Sequence, residues 1–267
     1  MIRPAAVAGQ FYPAEPLQLR SMIHNLLPQP SEKSRALAFM APHAGYIYSG
    51  RVAASVYGSL HLPSRFILLG PRHFPRGERF AVLSEGAWET PLGRVDVDTA
   101  LASEIKNAFP LLREDAVAHA REHSLEVQLP FLQCLVPNFT FVPIVLGADR
   151  FDALESLGRA IAQVLSKHRD EIMLLVSSDM NHYESDAITR VKDRKAIDAI
   201  LSLDARRLYD TVRLESISMC GYAPAVAMLA AARELHAAEA KLISYATSAE
   251  VSGDYERVVG YAGIIVQ

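Results

Sequence analysis

The sequence predicts a three-layer α/β/α sandwich on a mainly parallel central sheet, folded as a single domain over residues 1–267. Three observations predict it. Short, continuous apolar runs recur along the chain, as strands covered on both faces require. Segments of helical periodicity stand between them, and such alternation implies a sheet sandwiched by helices. No repeat, low-complexity tract or Gly/Ser-rich linker divides the chain, and 267 residues suit one large domain.

Taken in order, residues 17–27 form an amphipathic helix, 36–40 a buried strand and 50–60 a helix. Strands follow at 66–69 and 80–83. The helix at 98–108 opens with acidic and Thr residues, which suit the positive end of a helix. Residues 124–136 are helical in pattern but interrupted by Pro130. A strand at 139–146, a helix at 152–168 and a strand at 172–177 continue the alternation. Helices at 186–201, 204–213 and 224–236 precede strands at 241–246 and 257–266. Gly260 and Gly263 in the last strand suit close packing or a bulge. The 80–83 and C-terminal strands are expected to run antiparallel at an edge.

Half the residues are apolar and 21% are charged, enough for an ordinary core. The net charge of −3 gives no basic stripe for nucleic acid. No apolar run approaches the roughly 20 residues that span a bilayer, and the first residues lack the apolar stretch of a secretion signal. Two cysteines, Cys134 and Cys220, exclude a disulfide framework and fit a reducing cytoplasm.

The histidines carry the functional signal. His43 and His73 directly follow buried-strand patterns, and His182 follows the strand at 172–177. Ligands of open parallel sheets bind outside the carboxyl ends of the strands. Pro42 stops the strand before His43, and Gly45 permits a turn. His73 stands between Pro71 and Pro75, on a stiff backbone that suits a ligand. Arg72 reads either as an anchor for an anionic substrate or as a solvated charge. Asp179 and His182 are three apart and would share a face of a helical turn, making an Asp-oriented acid/base. Asp179 also suits a helix N-cap. Cys220 precedes an apolar helix, where a thiol is expected to have a lowered pKa; Cys134 reads as core. His123 stands at a helix start as a donor to substrate, with Glu122 and Glu126 as caps. His119 reads as surface, and His24, His61, His168 and His236 as solvated or packing residues. Two histidines and a cysteine with open positions suit a catalytic metal. Imidazole fits Fe, Cu and Zn, and a thiolate favours the softer ions.

These residues lie in runs that resemble the Memo family. They are Pro42-His43-Ala44-Gly45-Tyr46, Gly70-Pro71-Arg72-His73, Glu122-His123-Ser124-Leu125-Glu126, Ser177-Ser178-Asp179-Met180-Asn181-His182 and Cys220-Gly221. The opening from Arg3 to Pro13 resembles bacterial and archaeal members. The resemblance implies a fold similar to that of class III extradiol ring-cleaving dioxygenases. It implies His43, His73 and Cys220 as metal ligands, Fe(II) first, with Cu or Zn as alternatives. His182 with Asp179 would match the acid/base histidine, and His123 a second active-site histidine. The dioxygenases have a carboxylate where this chain has Cys220, which puts ordinary catechol cleavage in doubt. The resemblance also implies a place as the B component of the AmmeMemoRadiSam system, beside a radical-SAM protein and an AMMECR-like protein.

Three functions follow. One is a metal-dependent oxidoreductase acting on a small substrate. A second is a metal-free enzyme with Cys220 as nucleophile, His182 as base and Asp179 as orienter. The third is a binding or scaffold protein whose pocket takes a peptide or a metal.

Overall fold

The computed structural model describes residues 1–29, 32–147, 150–168 and 171–267. The first half contains β1 (Ile2–Arg3), α1 (Pro16–Leu26), β2 (Ala38–Ala41), α2 (Tyr46–Gly58), β3 (Arg65–Pro71), β4 (Phe80–Val82), β5 (Ala87–Thr90), β6 (Gly93–Asp96), α3 (Thr99–Ala108), β7 (Arg113–Glu114) and α4 (Ala116–Ala120). The second half adds α5 (Leu129–Leu135), β8 (Thr140–Leu146), α6 (Phe151–Leu165), β9 (Ile172–Ser177), β10 (His182–Glu184), α7 (Asp186–Leu201), α8 (Ala205–Leu214), α9 (Tyr222–Glu234), β11 (Ala240–Thr247), α10 (Ala249–Ser252) and β12 (Val258–Val266).

Among the described residues, nine strands form one sheet in the order β10-β12-β2-β9-β3-β8-β4-β7, with β11 paired to β12. The centre, β2-β9-β3-β8, is parallel throughout. Both flanks bring antiparallel pairs: β12 against β2, β11 and β10 on one side, β4 against β8 on the other. The sheet is therefore mixed, parallel at its core. A separate small sheet joins β1, β5 and β6, which the apolar runs did not announce because these strands are short.

Period-two alternation divides the central strands between two cores. Met40, Ile67, Leu69, Val142, Ile144, Leu174 and Val176 face one core, which also takes residues of α3, α6, α7, α8 and α9. Phe39, Phe66, Leu68, Phe141, Val145, Met173 and Leu175 face the other, with residues of α1, α2 and α5. Helices on both faces make the α/β/α layering. Asp98 caps α3 through the Leu101 amide, and Ser185 caps α7 through that of Ile188. Pro130 sits in the first turn of α5, where its missing N–H costs nothing, after a 3₁₀ turn at Glu126–Gln128. No helix among the described residues is long and apolar enough to cross a membrane.

Candidate metal centre

Adjacency in the sheet assembles the site. β2, β9 and β3 are neighbours, all parallel, so their carboxyl ends open onto one edge. His43 lies two residues beyond β2, Asp179 two beyond β9 and His73 two beyond β3. The loop before α9 brings Cys220, and the loop after α4 brings His123. A cavity of about 600 Å³ receives His43, His73, His123, Asp179, His182 and Cys220 together. All six residues singled out in the sequence meet there.

Three imidazoles form its densest part. Ligand-capable atoms of His43, His73 and His123 all lie within 4.8 Å of one another, so this cluster can hold a metal ion. The His73 and His123 rings stack at 4.4 Å, and His43 stands edge-on to both.

Hydrogen-bond partners fix which nitrogen faces the cluster. Ser177 Oγ donates to the Ser124 carbonyl at 2.6 Å and accepts from Gln128 Nε2 at 2.8 Å. With its own hydrogen committed, that oxygen can only accept from His43 Nδ1, 2.9 Å away. His43 therefore carries its hydrogen on Nδ1 and a lone pair on Nε2. His73 is held by Glu122, whose Oε1 accepts from Nδ1 at 2.8 Å and whose Oε2 accepts from the backbone amide at 2.7 Å. Burial alone would raise the Glu122 carboxyl, but hydrogen bonds from His73 and Ser124 overcome it and hold it at about 2. Glu122 is thus an ionised carboxylate with no exposure, orienting a histidine that keeps Nε2 for a ligand. Its sequence context suggests only a cap; its place directly before His123 is the one clue to this role.

Burial pushes His43 well below its ordinary pKa, with the neighbouring His73 adding to the effect. The same causes, burial first and then His43 and His73, bring His123 down to about 4. Both rings are neutral at physiological pH, as metal ligation requires.

Cys220 Sγ stands 3.2 Å from His43 Nε2. Zinc–sulfur and zinc–nitrogen lengths would put two tetrahedral ligands of one ion about 3.5 Å apart. A lowered thiol pKa was expected here. Instead burial, and then the Asp179 carboxylate, push the Cys220 thiol up. Gly221 lets this loop approach β9 closely, since a Cβ there would lie 2.4 Å from that of Ser178.

Asp179 does not stand on a helical turn with His182, because residues 178–181 are irregular and His182 begins β10. Its Oδ1 accepts from the backbone amides of His43 and Ala44, at 2.8 and 3.3 Å. Burial raises its pKa against these bonds. The His182 ring bonds the Ser218 carbonyl instead, at 2.9 Å. The ring beside the sulfur is that of His43, so a Cys220–His182–Asp179 relay is not the arrangement found.

Behind the cluster runs a buried ion pair that the sequence did not announce. Arg3 bonds Glu126 at 2.6 Å and the carbonyls of His119 and Glu122 at 2.7 Å each. Glu126 also accepts from the amides of Ala6 and Val7 and the hydroxyl of Tyr12. Far from a simple cap, it ties down the N-terminal arm, whose Phe11 packs on His123 at 4.7 Å. His119 is only 1% exposed, not a surface residue. Arg72 is occupied by the carbonyls of Gly77 and Glu78. His168 is partnered too, by Glu104 at 3.0 Å. His24, His61 and His236 are exposed, and Cys134 packs half-buried against the second core.

Comparison with known proteins agrees over the whole chain. The model of the "Memo-like protein" family matches residues 3–265. A MEMO1 family protein of Methanopyrus kandleri is 40% identical over 279 residues, covering 99% of each chain. One from Methanosarcina barkeri is 41% identical over 268 residues, covering 100% of each. Among solved structures, an uncharacterised protein of Escherichia coli K12 aligns with a TM-score of 0.60 at 13% identity, over 85% of this chain and 98% of that one, and shares the fold alone. On a family model and full-length relatives at this identity, the chain belongs to the Memo family.

Proposed function

We propose that this chain is a non-haem metal redox protein acting on a small substrate, with Fe(II) or Cu as its ion. The observation that carries the reading is the donor set. Two histidines have their outer nitrogens engaged by Ser177 and Glu122, leaving Nε2 of each for an ion. Cys220 stands beside the first of them. In this reading His43, His73 and Cys220 hold the metal, and His123, which with the two histidines makes the three-imidazole cluster, is a further donor. Bound there, the ion would supply electron transfer and Lewis acidity. The chain's own residues do the rest. Glu122 adds basicity to His73, Asp179 holds the His43 loop, and Phe11 walls the cavity. His182 would carry a proton to or from the substrate.

Metal content tests this directly. Full-length protein prepared without chelator or affinity tag should bind one ion of Fe(II) or Cu per chain. His43→Ala and Cys220→Ser should each lose most of it, and His123→Ala should lose less than Cys220→Ser. Full wild-type metal in both of the first two variants would overturn the assignment.

A further inference from the structure

His182 enters the cavity from the antiparallel flank, at an irregular stretch of strand. His182 pairs with Val259 and Glu184 with Val258, so the register slips at Tyr183. Tyr183 takes the left-handed conformation, φ 62°, which a side chain of its size adopts only when its surroundings impose it. Bulges of this kind re-aim side chains beside functional sites.

Directly before this stretch stands Asn181. It is fully buried, and both its backbone and its side chain are engaged. Its amide donates to Asp193 Oδ1 at 2.8 Å, and its carbonyl accepts from Gly260 N at 2.9 Å. Its Nδ2 donates to Glu184 and Thr189, at 2.7 and 3.2 Å. Its Oδ1 accepts from Ser218 twice, from the amide at 3.1 Å and the hydroxyl at 3.0 Å. A backbone amide can only donate, so this contact sets which way the Asn181 amide group faces. Asp193 is held in turn by the Tyr245 hydroxyl at 2.8 Å and packs on Gly260, where a Cβ would lie only 1.8 Å from Oδ2.

Ser218 passes this order to the histidine. Its hydroxyl accepts from the His182 amide at 2.7 Å, and its carbonyl lies 2.9 Å from His182 Nδ1. A carbonyl cannot donate, so Nδ1 carries the ring hydrogen and Nε2 the lone pair.

We propose that Asn181 is the positioning residue of His182, holding it through Ser218 as the Nδ1–H tautomer with Nε2 as the base that meets the ligand. The inference rests on reading His182 as the proton carrier. It concerns the ring itself, so it is tested in metal-free, full-length protein and stands or falls apart from metal binding.

The measurement is the tautomer of His182 by long-range ¹H–¹⁵N correlation in ¹⁵N-labelled protein, its signal assigned with His182→Gln. Wild type should show one dominant tautomer, Nδ1–H. Asn181→Ala and Ser218→Ala should each shift the ring to a mixture of both forms, and Ser218→Thr, which keeps the hydroxyl, should restore the single form. Thermal midpoints measured alongside separate loss of stability from loss of positioning. If Asn181→Ala does not fold, the Ser218 pair decides. A wild-type ring carrying its hydrogen on Nε2, or an unchanged tautomer in folded Ser218→Ala, would overturn the proposal.

Discussion

The two sides of the cavity hold their histidines by different means. His73 leans on a buried, ionised carboxylate, and behind it stand Glu126 and Arg3, so this side is built on charge. His182 leans on the carbonyl of Ser218, ordered by the amide of Asn181. The first arrangement strengthens a ring as a ligand, since a carboxylate partner raises its basicity. The second fixes a tautomer without placing a charge on the ring. A charged support also has a cost that the other avoids: losing one member leaves a buried charge without its partner.

Removing Arg3 should therefore give the largest effect. Arg3→Ala leaves Glu126 buried without its cation, and breaking such a pair costs about 3–5 kcal/mol. Urea unfolding should show that loss, whereas Asn181→Ala should cost less. Equal costs would mean that the two sides are not supported differently.

The sides should also respond oppositely to pH. On the charged side, burial brings His119 down to about 4. Below pH 6.5 the unfolded chain takes up a proton that the native ring refuses, so stability falls as pH drops from 6.5 to 4. Glu122, held at about 2, extends the loss below pH 4.5, where the unfolded carboxylate protonates first. On the other side, burial raises Asp193 to about 7. Its contribution is full below pH 3.8 and is lost as pH rises to 7. The shifts of His119 and Glu122 correspond to about 3 kcal/mol each and that of Asp193 to about 4 kcal/mol. Thermal midpoints from pH 4 to 8 should show His119→Phe losing the acid-side slope and Asp193→Asn gaining stability above pH 7. Parallel profiles for wild type and both variants would refute the difference.

The smallest effect concerns binding. Glu122→Gln keeps the shape of the His73 support and removes its charge. Metal affinity, measured by competition with a chromophoric chelator, should fall about 10–100-fold, as it does when outer partners of metal ligands are changed. Ser218→Ala, on the neutral side, should leave affinity within a few-fold of wild type.

The sequence by itself determined the layers and picked out six side chains that line one cavity. Apolar runs at β2, β3, β8 and β9 reveal covered strands because burial on both faces leaves no polar alternation. The break residues after them mark where side chains leave the sheet, which is why His43 and His73 were legible. Tertiary structure alone decided how those side chains are held. Glu122 is more than a local cap for the Ser124 amide because folding removes it from water and aims His73 at it. Arg3 and Glu126 meet across 123 residues of chain, and no local pattern encodes such a pair. His182 takes its partner from Ser218, 36 positions away, and not from nearby Asp179. Periodicity reports which residues are buried; only packing in three dimensions reports which buried polar groups find one another.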